Sequence, residues 1–433
     1  MLTQLTESLW GDEAFSAMAV QKPFGEMVGV VMKDTAPPLF YVLGAAWGRL
    51  FGFSEISLRS LSLLLILGAS LFAGLIVYHL QKDKNTAILV SLLAFLTPFL
   101  EPFAFEWRMY ALLAFTTVGS IYFFVKRSWV GYVLFTTAAL YTHHFALFTL
   151  ASQGIWYLMA EFDWKKPKTY LSQLKPFIAV LLLYTFWLYP MYLQIKRVQG
   201  SGFWLGIPKV RDLVNLLYQF LVGGVAEKFR PVSTLVIGLL LLFKSWKKVG
   251  RGFVELLILF LGPVFIAYAV SHAVTPVFYD RYLLATAIGM AVLIGLGVKQ
   301  QLRVLLIALV IFYGVISFGQ FTHPKKNPFR DLAKVVASEI TTKDSLININ
   351  GASHHLWESK YYGIPAPIYN PGQPLPLYVG TAQMTDSDVI KSLPTTKRIG
   401  TISDVNEKVS LSGYHDTSTQ VFGNLKFMWW EKK

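Results

Sequence analysis

Residues 58–80 read LRSLSLLLILGASLFAGLIVYHL, and Lys82 and Lys84 follow directly. A bilayer core about 30 Å thick takes roughly 20 predominantly apolar residues in a helix, and this run meets that length with Arg59 as its one formal charge. Working outward, the same unit recurs, an apolar run closed by a small basic cluster. It predicts further helices at about 85–100, 108–125, 129–142, 144–160, 176–195, 231–243, 252–272, 282–298 and 303–320. The clusters are Lys82/Lys84, Lys126/Arg127, Lys165/Lys166/Lys168/Lys175, Lys244/Lys247/Lys248/Arg251 and Lys299/Arg303. Short basic loops stay on the cytoplasmic side, so these ends are expected inside. Residues 1–57, 101–107, the region around 143, 196–230, 273–281 and everything after 320 are then expected outside. The first residues, Met1 to Trp10, hold nothing long enough to cross a bilayer or to act as a signal peptide. A further span ahead of them is expected, giving ten or eleven in all.

Composition agrees with a polytopic α-helical membrane protein: 54% hydrophobic, 15% aromatic and only 15% charged residues. The net charge of +14 lies largely in the short inner loops, where anionic lipid headgroups account for it without nucleic acid. No cysteine is present, which excludes thiolate chemistry, disulfides and cysteine metal sites. The sequence shows no internal repeat and no low-complexity tract.

After Phe321 the apolar runs stop. The turn His323-Pro324-Lys325-Lys326-Asn327-Pro328 opens a stretch of ordinary globular composition. Arg330–Ile340 reads as an amphipathic helix, Ser345–Asn350 as a strand, His354–Tyr362 as a second helix, and Lys397–Ser403 and Gln420–Trp430 as further strands. The Pro/Gly-rich stretch 363–380 reads as a long loop. The expected organisation is a membrane domain over 1–320, with an outer catalytic loop at 10–57, and a small soluble α/β domain over 321–433.

Polar residues gather at the outer ends of the runs. Asp12-Glu13 comes first, then Lys33-Asp34-Thr35-Ala36-Pro37-Pro38, then Arg59. Glu106-Trp107-Arg108-Met109-Tyr110, Tyr141-Thr142-His143-His144 and Asp280-Arg281-Tyr282 head later runs. Charges deep in a bilayer cost on the order of 2.5–3.5 kcal/mol each on insertion scales, so such groups are paired in a cavity or stand at headgroup level. Taken singly, each has a plainer use. Asp12 and Glu13 suit a helix start, Glu106 and Arg108 an interfacial ion pair, His143 packing, Arg59 and Arg281 lipid phosphates.

In order along the chain, the motifs resemble a known family. Asp12-Glu13, Asp34-Thr35-Ala36-Pro37-Pro38-Leu39-Phe40-Tyr41, Leu50-Phe51-Gly52 and Ser54-Glu55-Ile56-Ser57-Leu58-Arg59 look like the first outer loop of the GT-C glycosyltransferases that use polyprenyl-phosphate sugars. Glu106-Trp107-Arg108-Met109-Tyr110-Ala111-Leu112 resembles that family's Glu-Ala-Arg-x-Tyr-Ala-Leu stretch, Tyr141-Thr142-His143 its Tyr-Thr-His, and Asp280-Arg281-Tyr282-Leu283 its Arg-Tyr. Protein O-mannosyltransferases and the lipid A aminoarabinose transferase are distant relatives of that design. The likeness runs over about 12–320. Two departures stand out: relatives generally carry one more helix before the Asp-Glu pair, and a His or Lys often precedes Pro-Pro where this chain has Ala36.

The resemblance implies a transferase of the cell envelope, with its site and C-terminal domain outside the plasma membrane. Its partners would be a polyprenyl-phosphate sugar, an acceptor lipid, glycan or protein, and membrane lipids. It places the catalytic base on Asp12. Transfer needs a carboxylate to take the acceptor proton and fixed cations for the departing phosphate. Arg281 and Arg108 fit that second task first, Arg59 and Lys33 next. Glu13, Asp34, Glu106, Tyr110, His143 and Tyr282 complete the expected substrate-binding set. A divalent metal is used by some members, but the first loop has no Asp-x-Asp ligand pair. Aromatic residues Phe203, Trp204 and Tyr218 in the outer loop 196–230 suit a sugar ring. Two other readings fit a basic, polytopic chain: a transporter of lipids or glycans, whose ionisable groups belong near the midplane, and a catalytically silent scaffold of the same fold.

Overall fold

The computed structural model describes residues 3–201, 205–223, 229–242, 250–298, 303–349, 355–372 and 374–433. In chain order the helices are α1 (Gly11–Val20), α2 (Phe24–Lys33), α3 (Leu39–Phe51), α4 (Glu55–Gln81), α5 (Lys84–Phe95), the single turn α6 (Glu101–Ala104), α7 (Tyr110–Val125), α8 (Trp129–Leu140) and α9 (Ala146–Ala160). They continue with α10 (Tyr170–Ser201), α11 (Val210–Val222), α12 (Arg230–Leu242), α13 (Gly250–Ala273), α14 (Leu284–Gly297), α15 (Arg303–Phe321), α16 (Phe329–Glu339) and α17 (His355–Tyr361). Contacts divide the chain into two compact units. One comprises 1–35, 41–58 and 323–433, the other 36–40 and 59–322. The first outer segment, expected with the membrane domain, therefore groups with the C-terminal residues.

The helical unit follows the apolar runs closely. Five described segments, Glu55–Gln81, Pro167–Gly200, Gly250–Ala273, Asp280–Gly297 and Arg303–Phe321, are long and apolar enough to cross a membrane, and shorter apolar helices accompany them. α10 runs unbroken through Pro176 and Pro190, as membrane helices tolerate where neighbours and local adjustment satisfy the freed backbone groups. Helices join through small and polar contacts. Ser120 meets Thr136 at 2.6 Å, and Gln153 Nε2 donates to Ser120 Oγ at 2.8 Å, the hydrogen-bonded glue of a bundle without a water-driven core.

At the ends where the basic clusters lie, several of the cations are paired. Arg127 bridges Glu161 and, at 2.9 Å, Glu255; Arg251 reaches Glu161 at 3.2 Å; Arg303 pairs with Asp83. Gln81 Nε2 donates to Leu296 O at 3.0 Å, joining the C-terminal ends of α4 and α14. Lys244, Lys247, Lys248 and Lys299 lie outside the described residues. The expected loop 196–230 is instead largely helical, with α10 reaching Ser201 and α11 following. Residues 210–222, RDLVNLLYQFLV after Val210, repeat apolar positions at helical spacing, and Leu216, Phe220 and Val222 are buried.

The other unit is built around a six-stranded sheet. Its strands are β1 (Ser345–Ile349), β2 (Ile368–Tyr369), β3 (Val389–Ile390), β4 (Arg398–Asp404), β5 (Tyr414–Phe422) and β6 (Leu425–Lys432). They lie in the order β3-β2-β1-β4-β6-β5, parallel from β3 to β4 and antiparallel in β4-β6-β5. Both faces are covered. Leu346, Ile402, Phe427 and Trp429 pack with Phe329, Leu332 and Val336 of α16, while Ile347, Ile399 and Trp430 pack with Leu411 and Tyr414 on the opposite side. The run Gln420–Trp430, expected as one strand, is a hairpin that turns at Gly423, where φ is +58°. Residues 363–380 contain β2 and a 3-10 turn (Leu377–Val379) and are not wholly loop.

Candidate active site

Four helices of the helical unit carry the expected site residues at their N-terminal ends. α4 begins beside Arg59, α7 follows Glu106-Trp107-Arg108-Met109, α9 follows His143, and α14 follows a 3-10 turn, Asp280–Leu283. The same helices end in the contacts of Gln81, Arg127, Glu161 and Leu296 already described. The chain direction alone thus puts the candidates at the ends opposite the paired basic clusters.

These residues meet one another. The Arg281 guanidinium donates to Tyr110 Oη at 3.0 Å and to Tyr279 Oη, and lies over both rings, 5.4 and 4.5 Å from their centroids. Its own amide donates to Asp280 Oδ1 at 2.7 Å, holding the turn. Arg108 stands 5.9 Å from the Tyr110 centroid, so both guanidinium groups address one ring. Tyr282 stacks on His143 at 4.4 Å and packs against Tyr110 and Phe145 at 5.9 and 4.8 Å. Glu106 belongs to the same electrostatic group through Arg281, and its carbonyl accepts from Ser62 Oγ of α4 at 2.7 Å. Below it, Trp107 is fully buried against Phe40, 4.6 Å away. His143 lies in the turn between α8 and α9. Burial, then His144 and Arg108, pushes its imidazole down to about 3, so it is neutral across the working pH range.

Arg59 is 0% exposed. Ala36 is buried too, and its carbonyl accepts from Gln194 Nε2 at 3.2 Å; Gln194 in turn meets His144 Nε2 at 2.9 Å. The position where relatives resembling this chain carry His or Lys is here closed by a backbone hydrogen bond.

The remaining candidates lie in the sheet-containing unit. Asp12 is half-buried in the first turn of α1. Glu13, expected to meet substrate, is 0% exposed: its carboxylate accepts the Trp10 amide at 3.3 Å and pairs with Lys326 Nζ at 3.0 Å. Asp34 accepts from Tyr41 Oη at 3.2 Å, and Lys33 is exposed at the end of α2. Glu55, next to the Arg59 motif, takes Arg330 and, at 2.8 Å, Tyr362 Oη. Tyr279, Lys326 and Arg330 were missed from sequence. Tyr279 directly precedes the Asp-Arg-Tyr motif and was within reach of inspection; Lys326 sits in the Pro-rich turn and Arg330 in the first turn of α16, with partners more than 270 residues away in the chain. Phe203 and Trp204 lie outside the described residues, and Tyr218 is on α11, its hydroxyl 3.0 Å from Thr234. Among the described residues, no three His, Asp or Glu side chains are grouped to hold a metal ion.

No protein-family model matches the sequence, and no curated protein aligns with it. Solved structures do match. ArnT from Cupriavidus metallidurans in the apo state superposes with a TM-score of 0.65 over 98% of this chain and 95% of that one, at 13% identity. The chain shares the fold of this ArnT. The same ArnT bound to undecaprenyl phosphate gives a TM-score of 0.62 at 12% identity, again over 98% and 95%. The shared fold and the five described helices long and apolar enough to cross a membrane fit a multi-pass membrane protein.

Proposed function

We propose that the chain is an inverting glycosyltransferase that moves a sugar from a polyprenyl-phosphate carrier to an acceptor hydroxyl at the outer face of the plasma membrane. The observation that carries this reading is the guanidinium of Arg281, fixed by two phenols and joined over Tyr110 by Arg108, on a fold whose solved example binds undecaprenyl phosphate.

Asp12 takes the proton of the acceptor hydroxyl as its oxygen attacks the anomeric carbon from the face opposite the phosphate. The bond from that carbon to the phosphate oxygen breaks, the electron pair leaves with the polyprenyl phosphate, and the sugar carbon inverts. Arg281 and Arg108 stabilise the charge that grows on the leaving phosphate; held in place beforehand, they need no reorganisation as it forms. Lys33 and Arg59 support them, and Lys33 compensates for the cation missing at Ala36. Neutral His143, with Tyr282 and Tyr110, bonds sugar hydroxyls or phosphate oxygens, and Asp34 and Glu106 orient the basic groups. Glu13, which accepts the Trp10 amide at the start of α1, completes the proposed substrate-binding set.

The test is purified protein in nanodiscs with a panel of polyprenyl-phosphate sugars, following release of polyprenyl phosphate. Wild type should release it with at least one donor, and Asp12→Asn should bind that donor yet lose transfer by 10²-fold or more, of order the effect of removing a general base. Absence of release with every donor would favour the silent scaffold.

A further inference from the structure

α8 and α10 both start at the basic ends of the helical unit. α8 follows Lys126 and Arg127, and α10 follows Lys165, Lys166 and Lys168. Between the two helices lies an open groove of about 490 Å³ that runs along α10 from Ser172 to Ala179, about 10 Å at 1.5 Å per residue. Its lining changes along its length. Trp129, Gln173 and Lys175 stand towards the basic end, and Val133, Leu134 and Ala179 form the walls a turn further in.

The polar end is built firmly. Gln173 Oε1 accepts the Asp163 amide at 2.8 Å, its Nε2 donates to Thr169 Oγ1 at 2.7 Å, and its carbonyl accepts from Tyr157 Oη at 3.0 Å. Trp129 meets the Tyr132 and Tyr157 rings edge-on at 5.8 and 5.9 Å. A groove fixed in advance costs its ligand less ordering.

Charge narrows what fits. The nearby carboxylates are already taken: Arg127 and Arg251 hold Glu161, Arg127 holds Glu255, and Lys166 holds Asp163 at 2.9 Å. Lys175 is exposed and makes no ion pair among the described residues. An uncompensated cation with apolar walls behind it suits an anion that carries its own hydrocarbon. α10 belongs to a segment long and apolar enough to cross a membrane, α8 is a shorter apolar helix, and Leu134 on the groove is 61% exposed. A soluble anion would leave those walls unmet, and the ammonium of a zwitterionic lipid would repel Lys175.

We propose that this groove binds one anionic phospholipid, its phosphate on Lys175 and the start of an acyl chain between α8 and α10. Basic pockets between membrane helices take anionic headgroups in this way. The site stands at the ends opposite Arg281 and asks nothing of the transfer reaction. Its occupant ties α8 to α10.

The test is native mass spectrometry of the full chain in detergent micelles, titrated with phosphatidylglycerol or phosphatidylethanolamine. Wild type should hold one phosphatidylglycerol more tightly than phosphatidylethanolamine by about fivefold, the worth of one lysine beside anionic lipid. Lys175→Gln should abolish that preference. Val133→Trp fills the groove but leaves the charge, and it should weaken phosphatidylglycerol by a similar factor. Lys84→Gln, in another basic cluster, should change nothing, and excess inorganic phosphate should not displace the lipid. Equal affinity for the two lipids in wild type would overturn the proposal. So would an equal loss in Lys84→Gln and Lys175→Gln, which would leave only diffuse attraction to a basic surface. Displacement by phosphate alone would also overturn it, since the chain would then contribute nothing.

Discussion

At the scale of single residues, Arg281 shows why a guanidinium stands at this position. Its separate N–H groups reach Tyr110 and Tyr279 at once while its plane lies over both rings. An ammonium is a point charge that cannot make that planar fork. Arg281→Lys is therefore expected to keep the fold but cut transfer by roughly 10²-fold, the scale of losing one fixed donor to developing charge, as steady-state release of polyprenyl phosphate will read. Glu358 makes a pH prediction with a definite sign. Its folded-state value is raised above the ordinary 4.5, so the native state binds more protons than the unfolded chain above that value. Its contribution to stability is complete below the unfolded value and is lost as pH rises through the folded one. Melting temperature in wild type should carry a component that falls as pH rises above the unfolded value, and Glu358→Gln should remove that component. The residue types at the site were legible because charged side chains in an otherwise apolar chain have few tolerable uses. Their neighbours were less so: the Tyr279 phenol reads from sequence as one more interfacial aromatic until a guanidinium is seen against it.

Elements were read well where one physical period governed them. The apolar runs gave α4, α5, α7 to α10 and α12 to α15 to within a few residues, apart from α10, which extends past its run at both ends because neither Pro176 nor Pro190 breaks it. Amphipathic spacing gave α16, with Phe329, Leu332 and Val336 inward. α11 was hidden because it is too polar to pass as a span, and the search for spans set its helical spacing aside. The β5–β6 hairpin was hidden because apolar residues continue through the turn, although Gly423-Asn424 is the kind of pair that turns a hairpin. Gly380 lies against both Phe15 of α1 and Trp357 of α17. Its φ is +86°, and a Cβ there would stand 2.4 Å from Trp357 Nε1 and 2.7 Å from the Phe15 ring. Gly380→Ala should destabilise the sheet-containing unit by about 1–3 kcal/mol, as overpacking does, measured by limited proteolysis against denaturant.

For the molecule as a whole, the basic ends carry a second lesson. Read as charge alone they gave an orientation; in the structure they also hold Asp83, Glu161 and Glu255 in ion pairs. Glu255 has a side chain only 7% exposed, and removing its nearest cation leaves a buried charge behind. Arg127→Ala should cost about 3 kcal/mol, seen as a lower melting temperature in detergent. Reporter fusions at 101–107 and at 161–169 should fall on opposite sides of the membrane, and a cytoplasmic report from 101–107 would reverse the orientation proposed. The grouping of 1–35 with 323–433 was beyond sequence reading, since no local signal links groups so far apart. That grouping also sets an order of events during synthesis. The Leu9 amide waits for a phenol 353 residues downstream, and contacts of such separation form late. On a ribosome feeding a translocon, α1 emerges ahead of the apolar helices that follow it, yet has no seat until they have been delivered and β6 has slipped between β4 and β5. The sheet-containing unit would thus be completed only after the helical unit has been delivered, with its first-made helix seated last.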